Sequence, residues 1–567
     1  MAVRSPFEAN LSGKRLSRRS FVRGALIGGA TALLAACSSP AAPPASTAKP
    51  AAQPPAAAPA TQAPASAPAT AAPASAPAAT AAPKAAAPQK GGKLTIINGS
   101  DVTNFDPSAF SVGNHPFLHQ LYDSLVRVDS AGSGKVSPWL AESWKWSDDG
   151  KSLTFNLRSG AKFHNGREIT SEDVKFSVER YKKEEVAANL RPKVLTITDV
   201  KTPDPRTAVL ILDKPYPGIF DMLDQFFVLN KDAVNDIKTK AAGSGLYTLE
   251  EWRPGEMYRM KRFAGHWNAN AGFVDEITVK IISDAEAQIA SLESGQADLV
   301  YMMQGRYAER LNGKADFKVF QTALGAATHY LMVNCSREPF TNKKVRQAIS
   351  YSIDRARIQR TVYPGESEIG CQPWIPTHWA YDPSLPACKF DLDKAKQLLT
   401  EAGLANGFKT TVNTAVPAYS PGSKEVAQIV QADLKKIGVD VEIKVYEAAE
   451  ARTRIFAANH DMLIHNYSAA GADPSFNFPG RSLGTGKNSF SQWNNADFDK
   501  VVAQAFSELD RDKRKKLYSE VARIFLDEAP VNITVYRYML AGARKRVNDY
   551  DGDQSGYPDL TRLWVTS

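Results

Sequence analysis

Cysteine is scarce in this chain, with four in 567 residues. There is no CxxC pair and no Cys/His cluster, which argues against a structural zinc site. The HExxH and GxSxG patterns of metalloproteases and serine hydrolases are missing. The stretch Gly480–Lys487 lacks phosphate-loop spacing, because Arg481 stands where GxxxxGK requires glycine. The eight histidines are scattered. His115 and His119 have the i, i+4 spacing of a metal pair, but Pro116 lies between them and no third ligand is near, so they read as polar residues at a helix start. Neither a metal nor a cofactor is expected. No basic run with interleaved aromatics occurs, so nucleic acid is not an expected partner. No apolar run is long enough for a comfortable permanent membrane span. No fixed-period repeat is present.

What is there begins with an address. Residues 1–36 hold Arg4, Lys14, Arg15, Arg18, Arg19 and Arg23 against one acid, Glu8, so without them the formal charge falls from +9 to +4. Much of the basic excess therefore belongs to this segment. Ser17–Arg23 resembles the twin-arginine export motif, and the short apolar run Gly24–Ala36 ends in Leu34-Ala35-Ala36-Cys37, similar to a bacterial lipobox. The Cys37 thiol is the nucleophile that would accept a diacylglyceryl group, which makes the expected protein anchored to a membrane and not spanning it. Residues 38–92 are almost wholly Ala, Pro, Ser, Thr and Gln. Such a segment buries too little apolar surface to offset its ordering entropy. It is expected to act as a semi-stiff tether with a reach on the order of 150 Å, at about 3.1 Å per residue.

Fold-forming sequence starts at Lys93 with the strand-like Leu94-Thr95-Ile96-Ile97. Trp144/Trp146 and Leu153/Phe155/Leu157 alternate around Asp149-Gly150 and predict a hairpin. Thr170 and Asp173 predict a capping box opening a helix with Val174, Val178 and Tyr181 inward. Val194–Leu212 predicts two strands, and Ser283 a cap for a helix stopped at Gly295. Helix, glycine, then strand recurs over Asp391–Gly403 and Lys424–Tyr446, so the later half reads as helices packed on a sheet. Tyr330–Val333 is a buried-strand run, and after it Val345, Ala348, Ile349 and Ser352 fall on one helical face. A second strand-like stretch follows Glu528. An outbound strand mid-chain and a returning strand near the end suggest two lobes joined by paired crossings; one large α/β domain is the other reading. Of the cysteines left after Cys37, Cys371 and Cys388 enclose a Pro/Trp-rich loop and are expected to pair, leaving Cys335 as a buried thiol.

Three stretches carry a family resemblance. Lys343–Arg355, KKVRQAISYSIDR, is similar to the VRQAxxxAIDR signature of the extracytoplasmic solute-binding proteins, family 5, that serve ABC transporters for peptides, nickel and related solutes. Phe163–Arg180 and Gly243–Glu256 resemble two further family motifs, in family order, within a likeness spanning roughly residues 93–550. The resemblance implies a two-lobed α/β periplasmic-binding-protein (Venus flytrap) fold. Residues 93–334 with 531–567 would form one lobe, with an inserted subdomain at about 138–242, and residues 335–530 the other. It implies a monomeric, non-enzymatic protein on the outer face of the cell membrane, delivering solute to a permease driven by ATPase subunits.

The resemblance also nominates ligand residues. The early loop contributes Asn104, Phe105 and Asp106. His465–Phe478 resembles the family's ligand segment, with Asp473-Pro474 as its closing pair. Peptide-binding members carry an aspartate three residues earlier that neutralises the peptide's ammonium, since a buried cation needs a paired charge. Here Ala470 stands there, with Asn466 and Tyr467 in place of the family's glycine and tryptophan. Trp374, Tyr419 and His465 complete the candidates, offering stacking and hydrogen bonds. A peptide would then need another acid, Asp473 or Asp106, or would be held through its backbone. A sugar, an opine-like solute or a metal complex fits these residues too. A secreted hydrolase using a cleft carboxylate pair is the rival from another class, and a structural surface lipoprotein a third reading.

Overall fold

The chain crosses twice between two sheets, and the two crossings run side by side. A computed structural model describes residues 87–109, 114–129, 133–322, 324, 327–416, 420–467, 473–477, 482–552 and 558–566, all within one compact unit, Lys84–Ser567. Cys37, Tyr419 and Ala470 lie outside the described residues. The first sheet has seven strands in the order Phe317–Thr322, Met539–Arg544, Leu299–Met303, Lys93–Asn98, Glu276–Ile281, Met257–Arg262, Tyr247–Arg253. The second has six, in the order Ser367–Ile369, Val531–Arg537, Thr328–Val333, Met462–Tyr467, Lys409–Ala415, Asp440–Tyr446. Outbound and returning strands pair in both sheets: Thr322 faces Met539 in the first, and Met332 faces Val531 in the second. The fold is two-lobed α/β.

Each sheet has its own core, because alternate residues of a strand face opposite sides. In the first sheet Leu94 and Ile96 join one buried cluster and Ile97 another. In the second, Leu331 and Val333 pack with Val345, Ala348 and Ile349, whereas Tyr330 and Met332 pack with Tyr518, Val521 and Phe525. A four-stranded antiparallel sheet, Ala141–Trp146, Ser152–Leu157, Thr207–Leu212, Ile197–Asp204, joins the first core with the helix Ser171–Lys182. That helix opens on the expected Thr170/Asp173 capping box.

The signature motifs explain themselves locally. In the helix Lys343–Ser352 the expected residues Val345, Ala348, Ile349 and Ser352 are buried, and so is Arg346. Arg346 donates to the Glu528 carbonyl and carboxylate, both at 2.7 Å. Asp354 caps the next helix, Arg355–Val362, by accepting from the Arg357 N–H. Arg355, fully enclosed, donates through Nε to the Ile533 carbonyl at 2.7 Å. Both arginines of this signature thus strap the returning segment to the helix that follows the outbound strand. In the third motif, Gly245 lets the chain run against the preceding helix His115–Leu121: a Cβ there would stand 2.5 Å from the Gln120 carbonyl oxygen.

Two expectations shift. The chain changes sheet between Thr322 and Thr328 and at Tyr538, not at 334/335 and 530/531. Both crossing strands belong to the second sheet, and an apolar run reads the same whichever sheet takes it. Asp284, not Ser283, caps the helix Ala285–Glu293, accepting from the Ala287 N–H. Cys371 and Cys388 form a disulfide with a 5.6 Å Cα separation, and Cys335 is a half-buried thiol that burial pushes up to about 12. Among the described residues no helix is long and apolar enough to cross a membrane.

The disulfide closes a loop of 17 residues. Replacing both cysteines by alanine is expected to cost about 3 kcal/mol of stability in the chain-entropy account, read as a lower denaturant midpoint. An unchanged midpoint would show that the loop is fixed without its bridge.

Candidate functional site

Parallel strands in an open α/β sheet leave room for a ligand beyond their carboxyl ends. In the first sheet, Lys93–Asn98, Glu276–Ile281 and Leu299–Met303 run parallel and end together. In the second, Lys409–Ala415 runs parallel to both Asp440–Tyr446 and Met462–Tyr467. The crossing strands leave the first sheet beside Met303, which faces Leu540, and enter the second at Thr328, which faces Tyr467. Both sheets therefore turn their carboxyl edges toward the crossings. The space at those edges is the candidate ligand site.

Polar groups gather there. On the first edge, Asn98 is buried and its Oδ1 accepts from the Tyr301 hydroxyl at 2.7 Å. On the second, His329 is fully buried with the Tyr363 hydroxyl 3.0 Å from its Nε2. Burial first, then the positive fields of Arg537 and His465, hold the His329 imidazole well below its ordinary pKa and keep it neutral. The Arg537 guanidinium lies over the Tyr363 ring, 4.4 Å from its centroid, and 3.3 Å from Glu366 Oε2. Burial raises the Glu366 carboxyl pKa against the opposing pull of Arg537. Glu366 also reaches the other half: its carbonyl accepts the Tyr538 N–H at 2.9 Å, and a Cβ on Gly305 would stand 2.5 Å from its Cδ. His329, Tyr363, Glu366 and Arg537 were not among the residues the sequence nominated. The legible signal was His329, a titratable group inside a strand of buried residues, Thr328–Val333.

Of the nominated residues, the strand Met462–Tyr467 brings three to this edge. His465 faces Tyr330 edge-on with ring centroids 6.2 Å apart, and burial takes its pKa down to about 4. Asn466 Nδ2 donates to Ser420 Oγ at 3.4 Å. The Tyr467 backbone pairs with Thr328, and its side chain lies outside what is described.

Of the rest, the described residues Asn104, Phe105, Asp106, Trp374 and Asp473 have partners within the protein, while Tyr419 and Ala470 lie outside the described residues. Phe105 is wholly enclosed, edge-to-face with Trp252 and Tyr258 at 5.2 and 5.5 Å. Asn104 Oδ1 accepts from the Asp106 N–H at 2.9 Å, closing a local turn. Asp106 is held by Arg180 Nη2 at 2.5 Å and Ser108 Oγ at 2.6 Å; burial opposes but these donors win, and its carboxyl lies below the usual range. Trp374 packs edge-on against Tyr518 in the second lobe's core, centroids 5.5 Å apart. Asp473 is buried, with both oxygens 2.6 Å from Arg514 Nη2. Asp106 and Asp473 thus each face a guanidinium within the protein.

Beside these contacts the halves enclose two further spaces. One of about 210 Å³ lies between Val128, Trp146 and Phe220 on one side and Trp379, Asp473 and Arg511 on the other. Another of about 590 Å³ is lined by Lys193 and Tyr216 across from Val502 and Phe506. Burial brings the Lys193 ammonium down to about 7, with Asp221 opposing.

Three imidazoles, His115, His460 and His465, are each taken down to about 4, and burial is the largest cause for all three. Unfolded, they titrate near 6.5, so between pH 6.5 and 4 the unfolded chain binds more protons than the folded one. Their contribution to stability is present above pH 6.5 and is lost as pH falls toward 4. A Tm that declines steadily across that window is expected; a flat Tm would contradict the neutral buried state.

Comparison with known proteins agrees with this architecture. Residues 135–489 match the model of the bacterial extracellular solute-binding proteins, family 5 Middle. The chain is 28% identical to Di/tripeptide-binding protein 1 of Pseudomonas aeruginosa (strain UCBPP-PA14), over 82% of this chain and 93% of that protein. It is 29% identical to Heme-binding protein A of Haemophilus influenzae, over 77% of this chain and 85% of the relative. The solved structure of the ABC transporter-associated periplasmic binding protein DppA from Helicobacter pylori, in complex with the peptide STSA, superposes with a TM-score of 0.71 at 26% identity, covering 84% of this chain and 99% of that one. With two separately packed sheets, paired crossings and a family match over more than half its length, this chain belongs to the bacterial extracellular solute-binding proteins, family 5.

Proposed function

We propose that this protein captures a peptide between its two lobes, at the carboxyl edges of the two sheets, and hands it unaltered to the permease of an ABC importer. The carrying observation is the pair of crossings: two adjacent strands carry the chain between two separately packed cores at this edge, a hinge about which the halves can close on a guest. The peptide class is supported by the di/tripeptide-binding relative and by the peptide-bound neighbour. Ligand shifts the open–closed balance by binding the closed form better. The closed form is what a membrane permease with its ATPase subunits engages.

In this reading residues 1–36 are a twin-arginine lipoprotein signal, Cys37 carries the lipid, and residues 38–92 tether the body outside the cell membrane. The lobes are residues 93–322 with 539–567, and 328–537. With Asp106 and Asp473 each committed to an arginine, the peptide is held mainly through backbone hydrogen bonds and side-chain stacking. His465, Asn466 and Tyr467 contribute from the second edge.

Calorimetry and thermal shift against free and N-acetylated di- and tripeptides, sugars, haem and nickel complexes test this. A peptide should give saturable stabilisation, about 2.7 kcal/mol at a hundred times Kd, with no product formed. N-acetylation should change Kd by less than about tenfold. Saturable binding by a sugar, haem or a nickel complex with none by peptides would overturn the peptide assignment, and turnover of any compound would overturn the binding-protein reading. For the anchor, Cys37→Ala should move the protein from the membrane fraction to the soluble one; retention in the membrane fraction would contradict lipidation.

A further inference from the structure

Glycine at 218 sits at a helix N-cap, where Ser, Thr, Asn or Asp would serve as well, so its backbone does not demand glycine. It precedes the helix Ile219–Gln225 with φ −71° and ψ 4°, a backbone that any L-residue adopts without strain. What it meets is the opposite half: a Cβ at this position would overlap Ser475 Oγ and stand 3.2 Å from Asp473 Oδ1. That wall cannot give way easily. Ser475 Oγ donates to Asp473 Oδ1 at 2.6 Å, and Asp473 is gripped by the buried Arg514, whose Nε donates to the Ala505 carbonyl at 3.2 Å. Two more glycines lie along the same seam. A Cβ on Gly134 would stand 2.8 Å from Trp379 Cδ1 and 2.9 Å from Arg511 Nη2, and one on Gly150 2.7 Å from Leu509 Cδ1. Arg511 in turn donates across the seam to the Ser133 carbonyl. Gly134 and Gly150 have φ near +68°, so their backbones already favour glycine. Gly218 differs: its backbone suits any L-residue, and although Tyr216 Cε2 also stands 3.2 Å from such a Cβ, the tightest obstacle is Ser475 of the other lobe.

We propose that Gly218 is a closure seat: the Asp473/Ser475/Arg514 ledge settles on it when the lobes shut, and the fit of this contact sets ligand affinity without touching ligand. The inference rests on the reading that ligand is held in the closed form. A side chain at 218 leaves the open form untouched and raises the free energy of the closed one. Since a ligand's apparent affinity scales with the population of the competent state, Kd rises in proportion. Gly218 is thus a positioning residue for closure.

The test compares wild type, Gly218→Ala, Ser475→Ala and the double variant by calorimetry with a di- or tripeptide that the wild type binds, with thermal melts to confirm folding. Gly218→Ala is expected to keep the ligand-free Tm and to weaken binding by about tenfold or more. The double variant should return to within about threefold of Ser475→Ala alone, because the overlapping Oγ is gone. Equal affinity of Gly218→Ala and wild type overturns the seat. So does a loss that Ser475→Ala fails to relieve. Should no peptide bind the wild type, the function reading fails separately, and the seat is read from small-angle scattering of the ligand-free chains. A larger radius of gyration for Gly218→Val than for wild type supports it, and an unchanged radius overturns it.

Discussion

The antiparallel pairing of the outbound and returning strands is the constraint on which everything else depends. Met332 opposite Val531 in one sheet and Thr322 opposite Met539 in the other place the outbound and returning strands side by side on both sides of the link. Such a link resists stretching, because its extended backbone has little length left to give, but bends with small backbone changes at a few residues. The stretch Lys343–Arg355 is placed to defend it. Arg346 grips Glu528 and Arg355 grips the Ile533 carbonyl, so the helices after the outbound strand hold the returning one in register. Arg355 is deeply enclosed, and burial lowers its pKa to about 10, still well above neutrality. Its buried guanidinium is satisfied by the Ile533 and Ser350 carbonyls.

From that link the placement of the site follows. Both sheets present their carboxyl edges to the crossings, so loops long enough to touch a solute converge where the halves can move. Charged groups in the interior are paired before any ligand arrives: Asp106 with Arg180, Asp473 with Arg514, Glu366 with Arg537. Each pair braces a different part of the fold. The first pins the early loop to the helix Ser171–Lys182, the second braces the ledge at Ser475, and the third sits at the crossing itself. These buried charges are thus neutralised within the protein itself.

Local features were legible in the sequence because their causes are local. The Thr170/Asp173 box, the Trp144–Leu157 hairpin, the apolar face from Val345 to Ser352 and the crossing strand after Glu528 all rest on residues a few positions apart. The disulfide was legible because Cys371 and Cys388 flank a single loop. What was not legible was which side chains pair across long stretches of chain. Asp106 and Asp473 read as free acids, and nothing near them in sequence marks Arg180, 74 residues on, or Arg514, 41 residues on, as their counter-ions. Phe105 and Trp374 looked like stacking residues for a ligand, yet aromatic type alone does not separate a cleft wall from a core, and both are core. Glu366 and Arg537 escaped notice because their role exists only where two distant crossings meet.

The most direct test of the clamshell is a distance measured across it. The outer strands Tyr247–Arg253 and Asp440–Tyr446 lie at the sheet edges furthest from the crossings, so they should move most when the halves rotate. Spin labels at the exposed Glu250 and Glu442, read by pulsed dipolar spectroscopy, report that displacement. Saturating peptide is expected to collapse the distribution onto a single distance, at the short end of the ligand-free range. A distribution that peptide leaves unchanged, in a protein shown to have bound it, would contradict hinged closure about the paired strands.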